Sequence, residues 1–149
     1  MENLSLHVLD VVENSVRAGA GNITIEVEED EKEDWLGLRI SDDGEGMDET
    51  TSKRARDPFY TTKEGKRTGL GLPLLEQACT QAEGTLKIRA REGGGTEVIA
   101  GFRLSHPDAV PMGDMLETMA VLVTGNPGIR FVYNYRKGDE VCHFDSSGG

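Results

Sequence analysis

The chain has 149 residues, a formal net charge of −11, 19 glycines and two cysteines. That length suits one domain with a real core and a small appendage. An acidic balance without a basic cluster excludes binding through a nucleic-acid backbone, no apolar run approaches the roughly 20 residues that span a bilayer, and the N-terminus lacks a signal peptide's basic start and apolar core. The isolated Cys79 and Cys142 match no metal or redox spacing and fit a reducing cytoplasm.

Residues 3 to about 18 read as an amphipathic helix: Leu4, Val8, Leu9, Val11, Val12 and Val16 gather on one side, with Asn3, His7, Asp10, Glu13, Asn14 and Arg17 on the other. The valines weaken helix propensity, so packing against a sheet is needed to hold the helix. Gly19 and Gly21 stop it, and NITIEVEE then alternates as a half-buried strand with Ile23, Ile25 and Val27 inward. An acidic turn leads to a second strand, WLGLRIS, which ends in the Gly-rich DDGEGMD. The polar stretch containing DPFYTTKEGKRT runs into GLGLPLLEQACTQAEG, a helix that opens on glycines with Pro73 early in it, where a proline is tolerated. GTLKIRARE and GTEVIAGFRL form a hairpin about Gly93-Gly94-Gly95. Beyond Pro107 and Pro111, GDMLETMAVLVTG reads as a helix capped by Asp114, and GIRFVYNYRKGDEVCHFD as two strands, before a frayed tail.

The pattern predicts an α+β fold, a two-layer sandwich of a mixed sheet with helices on one face. The expected division is residues 1–104 as the main domain and 105–149 as a helix and hairpin appended to it. On the last strands Ile129, Phe131, Tyr133 and Tyr135 share a face, which either packs onto the domain or presents an aromatic patch to a partner.

Four separated segments carry the chemistry. Asp10 and Asn14 share a helix face one turn apart. Asp42-Asp43-Gly44-Glu45-Gly46 is an acid followed by glycines at a strand end; Thr68-Gly69-Leu70-Gly71-Leu72 opens a helix, where backbone N–H groups suit an anion; and Gly95-Thr96 begins a late strand. Singly, each also has an ordinary reading as a wet helix face, a turn or close packing. Their order and spacing together are not ordinary.

VVENSVRAGA, DDGEGM, DPFYTTK, TGLGLPLL and EGGGTEV resemble, in order, the N, G1, F and G2 boxes and the last glycine motif of the GHKL ATPase superfamily, the Bergerat ATP-binding fold of histidine kinases, type II topoisomerases, mismatch-repair ATPases and anti-sigma-factor kinases. The resemblance covers residues 4 to 104. It implies ATP and Mg²⁺ as ligands. Asn14 matches the asparagine whose oxygen coordinates Mg²⁺, an ion that prefers hard oxygen ligands. Asp42 matches the carboxylate that accepts from the adenine amino group, and Gly44 and Gly46 the glycines that let the backbone pass the base. Gly69 and Gly71, with Thr68, Leu70 and Leu72, match the phosphate-lining loop, Thr96 a position near adenine, and Phe59 with residues 61–68 the ATP lid, in which Lys63, Lys66 and Arg67 could counter the triphosphate.

This chain departs from the family pattern in three places. Arg67 stands where a histidine-kinase G2 box commonly has glycine, the lid is short, and Asp10 stands where hydrolytic branches carry a glutamate base. A general base must come within roughly 2.6–3.2 Å of its proton or act through a water, so Asp10 is a candidate weak base or a partner of the Mg²⁺ waters. His7, one turn earlier, is a poor candidate for a phospho-acceptor, which histidine kinases usually present on a separate hairpin. The leading expectation is a cytoplasmic ATP-dependent kinase that phosphorylates a partner protein in trans. The alternatives are a slow ATPase switch controlling partner association and a non-catalytic ATP sensor. A homodimer is compatible with any of these. Neither nucleic acid nor a membrane is an expected partner.

Overall fold

A computed structural model describes residues 3–44, 71–90 and 94–147. Among the described residues, three helices and six strands follow one another as α1 (Leu4–Arg17), β1 (Asn22–Asp30), β2 (Trp35–Asp42), α2 (Gly71–Gln81), β3 (Thr85–Ala90), β4 (Thr96–Arg103), α3 (Met115–Gly125), β5 (Arg130–Lys137) and β6 (Glu140–Asp145). The strands form one sheet in the order β3-β4-β2-β1-β5-β6. Every neighbouring pair is antiparallel except β1 and β5, which run parallel. This is the mixed-sheet α+β sandwich that the alternation of strands and helices predicts.

Local signals start and stop α1. Asn3 caps it by accepting from the Leu6 N–H, and it ends where the Ala18 N–H donates back to the Asn14 carbonyl ahead of Gly19 at φ +80. Leu4, Val8, Val11 and Val12 are buried in one core cluster with Ile23, Ile25 and Ile40 of the sheet. In β1 the inward residues are Ile23, Ile25 and Val27, and in β2 they are Leu36, Leu38, Ile40 and Asp42. The last of these carries a charged group into an otherwise apolar row.

Residues 130–145 extend the same sheet beyond β1, so the C-terminal hairpin shares the core instead of resting on it. Phe131 is fully buried and Tyr133 nearly so, together with Met115, Met119 and Leu122 of α3. Of the two readings open for the aromatic face, packing holds: parallel pairing with β1 turns Phe131 and Tyr133 under α3. Burial pushes the Tyr133 phenol up to about 12. Tyr135, at the margin, donates its hydroxyl to Glu29.

Candidate functional site

The end of β2, the last turns of α1 and the start of β4 meet at Asp42. Asp42 is 5% exposed. One oxygen, Oδ2, accepts from the Ser15 hydroxyl at 2.6 Å, and the other, Oδ1, accepts from the Gly44 N–H at 2.9 Å. Thr96 is the partner of Asp42 across the β2–β4 ladder and is likewise buried. Gly95, at φ +97, brings β4 so close that a Cβ there would lie 1.9 Å from the Asp42 carbonyl oxygen. No side chain larger than hydrogen fits at this position, and the left-handed backbone independently favours glycine. Gly44 is similarly pressed against α1, where a Cβ would lie 2.8 Å from the Ala18 carbonyl oxygen.

The neighbouring Asp43 points the other way and ties the strand end to the turn after α1. Its Oδ1 accepts from the Gly21 and Asn22 N–H groups at 2.8 and 2.9 Å, and its Oδ2 from the Asn22 side-chain amide at 2.8 Å. These bonds, the Asn22 side chain foremost, hold the Asp43 carboxyl down at about 2. Asp42 and Asp43 are thus adjacent carboxylates with separate work, one turned into the site and one locking two segments that frame it.

Asn14 precedes Ser15 on α1. Its Oδ1 and Nδ2 are both buried, and neither has a hydrogen-bond partner among the described residues. A buried amide left unbonded costs about 1–3 kcal/mol, so such a group is uncommon unless a ligand completes it. Asp10 is one turn earlier on the same helix and partly exposed.

The polar side of α1 is wet only in part: Glu13 and Arg17 are exposed, but the His7 end is not. His7 is 2% exposed and Ser5 and Ser15 are buried as well. The reason is tertiary. α2 crosses this side, where Leu74, Gln77 and Ala78 share a cavity of about 330 Å³ with His7 and the 107–110 segment. The Leu4 and Ser5 N–H groups donate to the Pro111 and Met112 carbonyls, which covers Ser5.

Among the residues singled out from the sequence, Asp42, Gly44 and Thr96 come together, and Asn14 joins them through its neighbour Ser15. Gly71 and Leu72 begin α2. Gly46, Phe59, Lys63, Lys66, Arg67, Thr68, Gly69 and Leu70 lie outside the described residues. Sequence reasoning passed over Ser15 and Asp43. A Ser directly after the motif asparagine was the available signal for the first, and a second acid before the glycines for the second.

A model of the family described as histidine kinase-, DNA gyrase B-, and HSP90-like ATPase matches residues 2–106. The chain belongs to this ATPase family. Within it, the sensor protein kinase FleS of Pseudomonas aeruginosa is 39% identical over 89 residues, which make up 60% of this chain and 22% of FleS. The sensor histidine kinase YxdK of Bacillus subtilis is 33% identical over 104 residues, covering 66% of this chain and 32% of YxdK. The chain therefore spans about a third or less of these kinases. Among solved structures, the Aquifex aeolicus MutL ATPase domain complexed with ADP superposes with a TM-score of 0.63 at 16% identity, over 97% of this chain and 64% of that one. This likeness is one of fold. It reaches past the ATPase-family match and takes in the added strands β5 and β6. Among the described residues of this ATPase-family chain, no helix is long and apolar enough to cross a membrane.

Proposed function

We propose that this chain binds ATP with Mg²⁺ between α1, the β2 end and the start of β4, and transfers the γ-phosphoryl to a partner protein in trans. The observation that carries the reading is the buried, unbonded carboxamide of Asn14, next in sequence to the Ser15 that bonds Asp42, inside a sequence of this ATPase family. Asn14 fits the metal: its amide oxygen is a hard neutral donor, and a ligand there would satisfy an atom that the protein leaves unbonded. Bound Mg²⁺ would neutralise developing charge on the phosphates.

The chain's own residues supply recognition and position. Asp42, an acceptor, suits the adenine amino group and disfavours guanine, whose carbonyl oxygen would face it. Gly95 keeps a side chain out of the space beside the Asp42 backbone, and Gly44 keeps one out of the space beside Ala18 at the end of α1. Thr96 adds a hydroxyl-bearing neighbour on the adjacent strand. On the hydrolytic reading below, Asp10, on the same helix as Asn14, is the candidate to orient or deprotonate an attacking water.

Transfer in trans, rather than hydrolysis, follows the kinase relatives. The fold likeness to a MutL ATPase domain, together with Asp10 one turn before Asn14, favours a second reading as an ATPase switch. Calorimetry with Mg²⁺ and ATP tests the premise: micromolar binding is expected, and Asp42→Ala should abolish it. No binding, or binding indifferent to Asp42, would end both readings. Label transfer to a co-purified protein that survives Asp10→Asn supports the kinase. Phosphate release that disappears in Asp10→Asn supports the switch, and neither activity alongside intact binding identifies a sensor.

A further inference from the structure

We infer that Ser15 is a specificity-determining positioning residue, which fixes the Asp42 carboxylate for the purine amino group and so ties base selection to the helix that carries Asn14. This rests on the ATP-binding reading above.

A lone aspartate at a strand end can rotate about its side-chain torsions, and a carboxylate that swings presents its lone pairs in no fixed direction. Here each oxygen is engaged by a different element: Oδ2 by the Ser15 hydroxyl of α1 at 2.6 Å, and Oδ1 by the Gly44 N–H at 2.9 Å. Two anchors on opposite oxygens set the plane of the group. Of the two, only the Ser15 bond crosses between elements, 27 residues apart in sequence, and it is buried. A hydroxyl that donates to a carboxylate makes a strong charge-assisted bond in such surroundings. Ser15 itself is 5% exposed and occupies the α1 position next to Asn14. Successive helix side chains diverge by roughly 100°, so one turn of α1 aims Asn14 and Ser15 in different directions, with Ser15 meeting the base-reading carboxylate.

Because Ser15 acts through Asp42, its loss should matter only for a base that carries the amino group. This separates positioning from general support of the fold. The experiment is calorimetry of the intact chain with Mg²⁺ and two nucleotides, ATP and purine riboside triphosphate, which lacks the 6-amino group. Wild type, Ser15→Ala and Asp42→Ala are compared. In Ser15→Ala, ATP affinity is expected to fall on the order of tenfold while affinity for the deaminated analogue stays within about twofold of wild type. Retained analogue binding is then also the evidence that the variant is folded. Restoration of the ATP preference in Ser15→Thr would support the assignment further. Equal losses for both nucleotides, or an unchanged ATP affinity in Ser15→Ala while Asp42→Ala loses it, would overturn the role of Ser15 and leave the ATP reading standing. A wild-type chain that binds no ATP, or an Asp42→Ala variant that binds it normally, would overturn the ATP reading itself and the inference with it.

Discussion

The carboxamide of Asn14 is tuned for something other than folding. Both of its polar atoms are buried and unbonded among the described residues, which costs about 1–3 kcal/mol relative to an apolar group of similar shape. Asn14→Leu, nearly isosteric and a better helix former, should therefore stabilise the ligand-free chain by about 1–2 kcal/mol, or raise its Tm by about 2–8 °C. The same change should eliminate Mg²⁺-dependent nucleotide binding. Thermal or urea unfolding checks the first half and calorimetry the second; a destabilised variant would mean that Asn14 supports the fold itself. Residues at this scale were unevenly legible. Asn14 and Asp42 stand in motifs, so their spacing from glycines exposes them. Ser15 has only its place directly after the motif asparagine as a signal, which does not name a partner; the tertiary approach of β2 gives its hydroxyl one.

At the scale of elements, the site depends on how the end of β2 is held against the turn from α1 into β1. Asp43 does this with three hydrogen bonds from Gly21 and Asn22. Its folded value of about 2 lies below the ordinary 3.8, so its contribution is fully present above pH about 4 and is lost as pH falls through about 2. The unscreened shift corresponds to roughly 2.4 kcal/mol, and exposure of the group to solvent reduces this to about 1. Asp43→Ala should lower stability by about that amount at pH 7 and by almost nothing near pH 2. Urea unfolding series between pH 7 and pH 2 would measure it, and a constant difference down to pH 2 would refute the assignment. Asp145, held low by Arg130, and Glu97 weaken in the same acid range, so the wild type keeps an acid limb in either case. For Glu97, burial pushes upward, but bonds from Arg89 and Arg39 outweigh it and hold the group low. The elements themselves were readable because period-two and helical alternation are local. The wet or dry state of a helix face is not local. α1 shows two clean sides in sequence, yet α2 and the 107–112 segment cover His7 and Ser5 on its polar side.

For the molecule as a whole, the sequence sets residues 105–149 apart as an appendage, since a strand's local pattern does not encode which neighbour it will pair with. β5 lies parallel to β1 across eight residue pairs, from Asn22 with Arg130 to Glu29 with Lys137. Such pairing needs a long connection, and here the chain passes through β2, α2, β3, β4 and α3 before β5 arrives. The contact order is high, and the reward is core: Phe131 is 0% exposed and Tyr133 3%. Emptying the Phe131 site by Phe131→Ala should cost about 3–5 kcal/mol, a large part of the 5–15 kcal/mol typical of a domain. Removing residues 129–149 goes further, because it takes away that side chain and leaves β1 as an unpaired edge flanked by uncovered apolar surface. The shortened chain should lose its cooperative unfolding transition and associate at micromolar concentration, as judged by urea unfolding and light scattering. A monomeric chain that still unfolds cooperatively near the wild-type midpoint would instead make β5 and β6 an accessory to a sheet complete without them. The site would respond in step. β1 is the strand on which β2 registers from Ile23–Asp42 to Asp30–Trp35, so a frayed β1 would release the very end of β2 that carries Asp42.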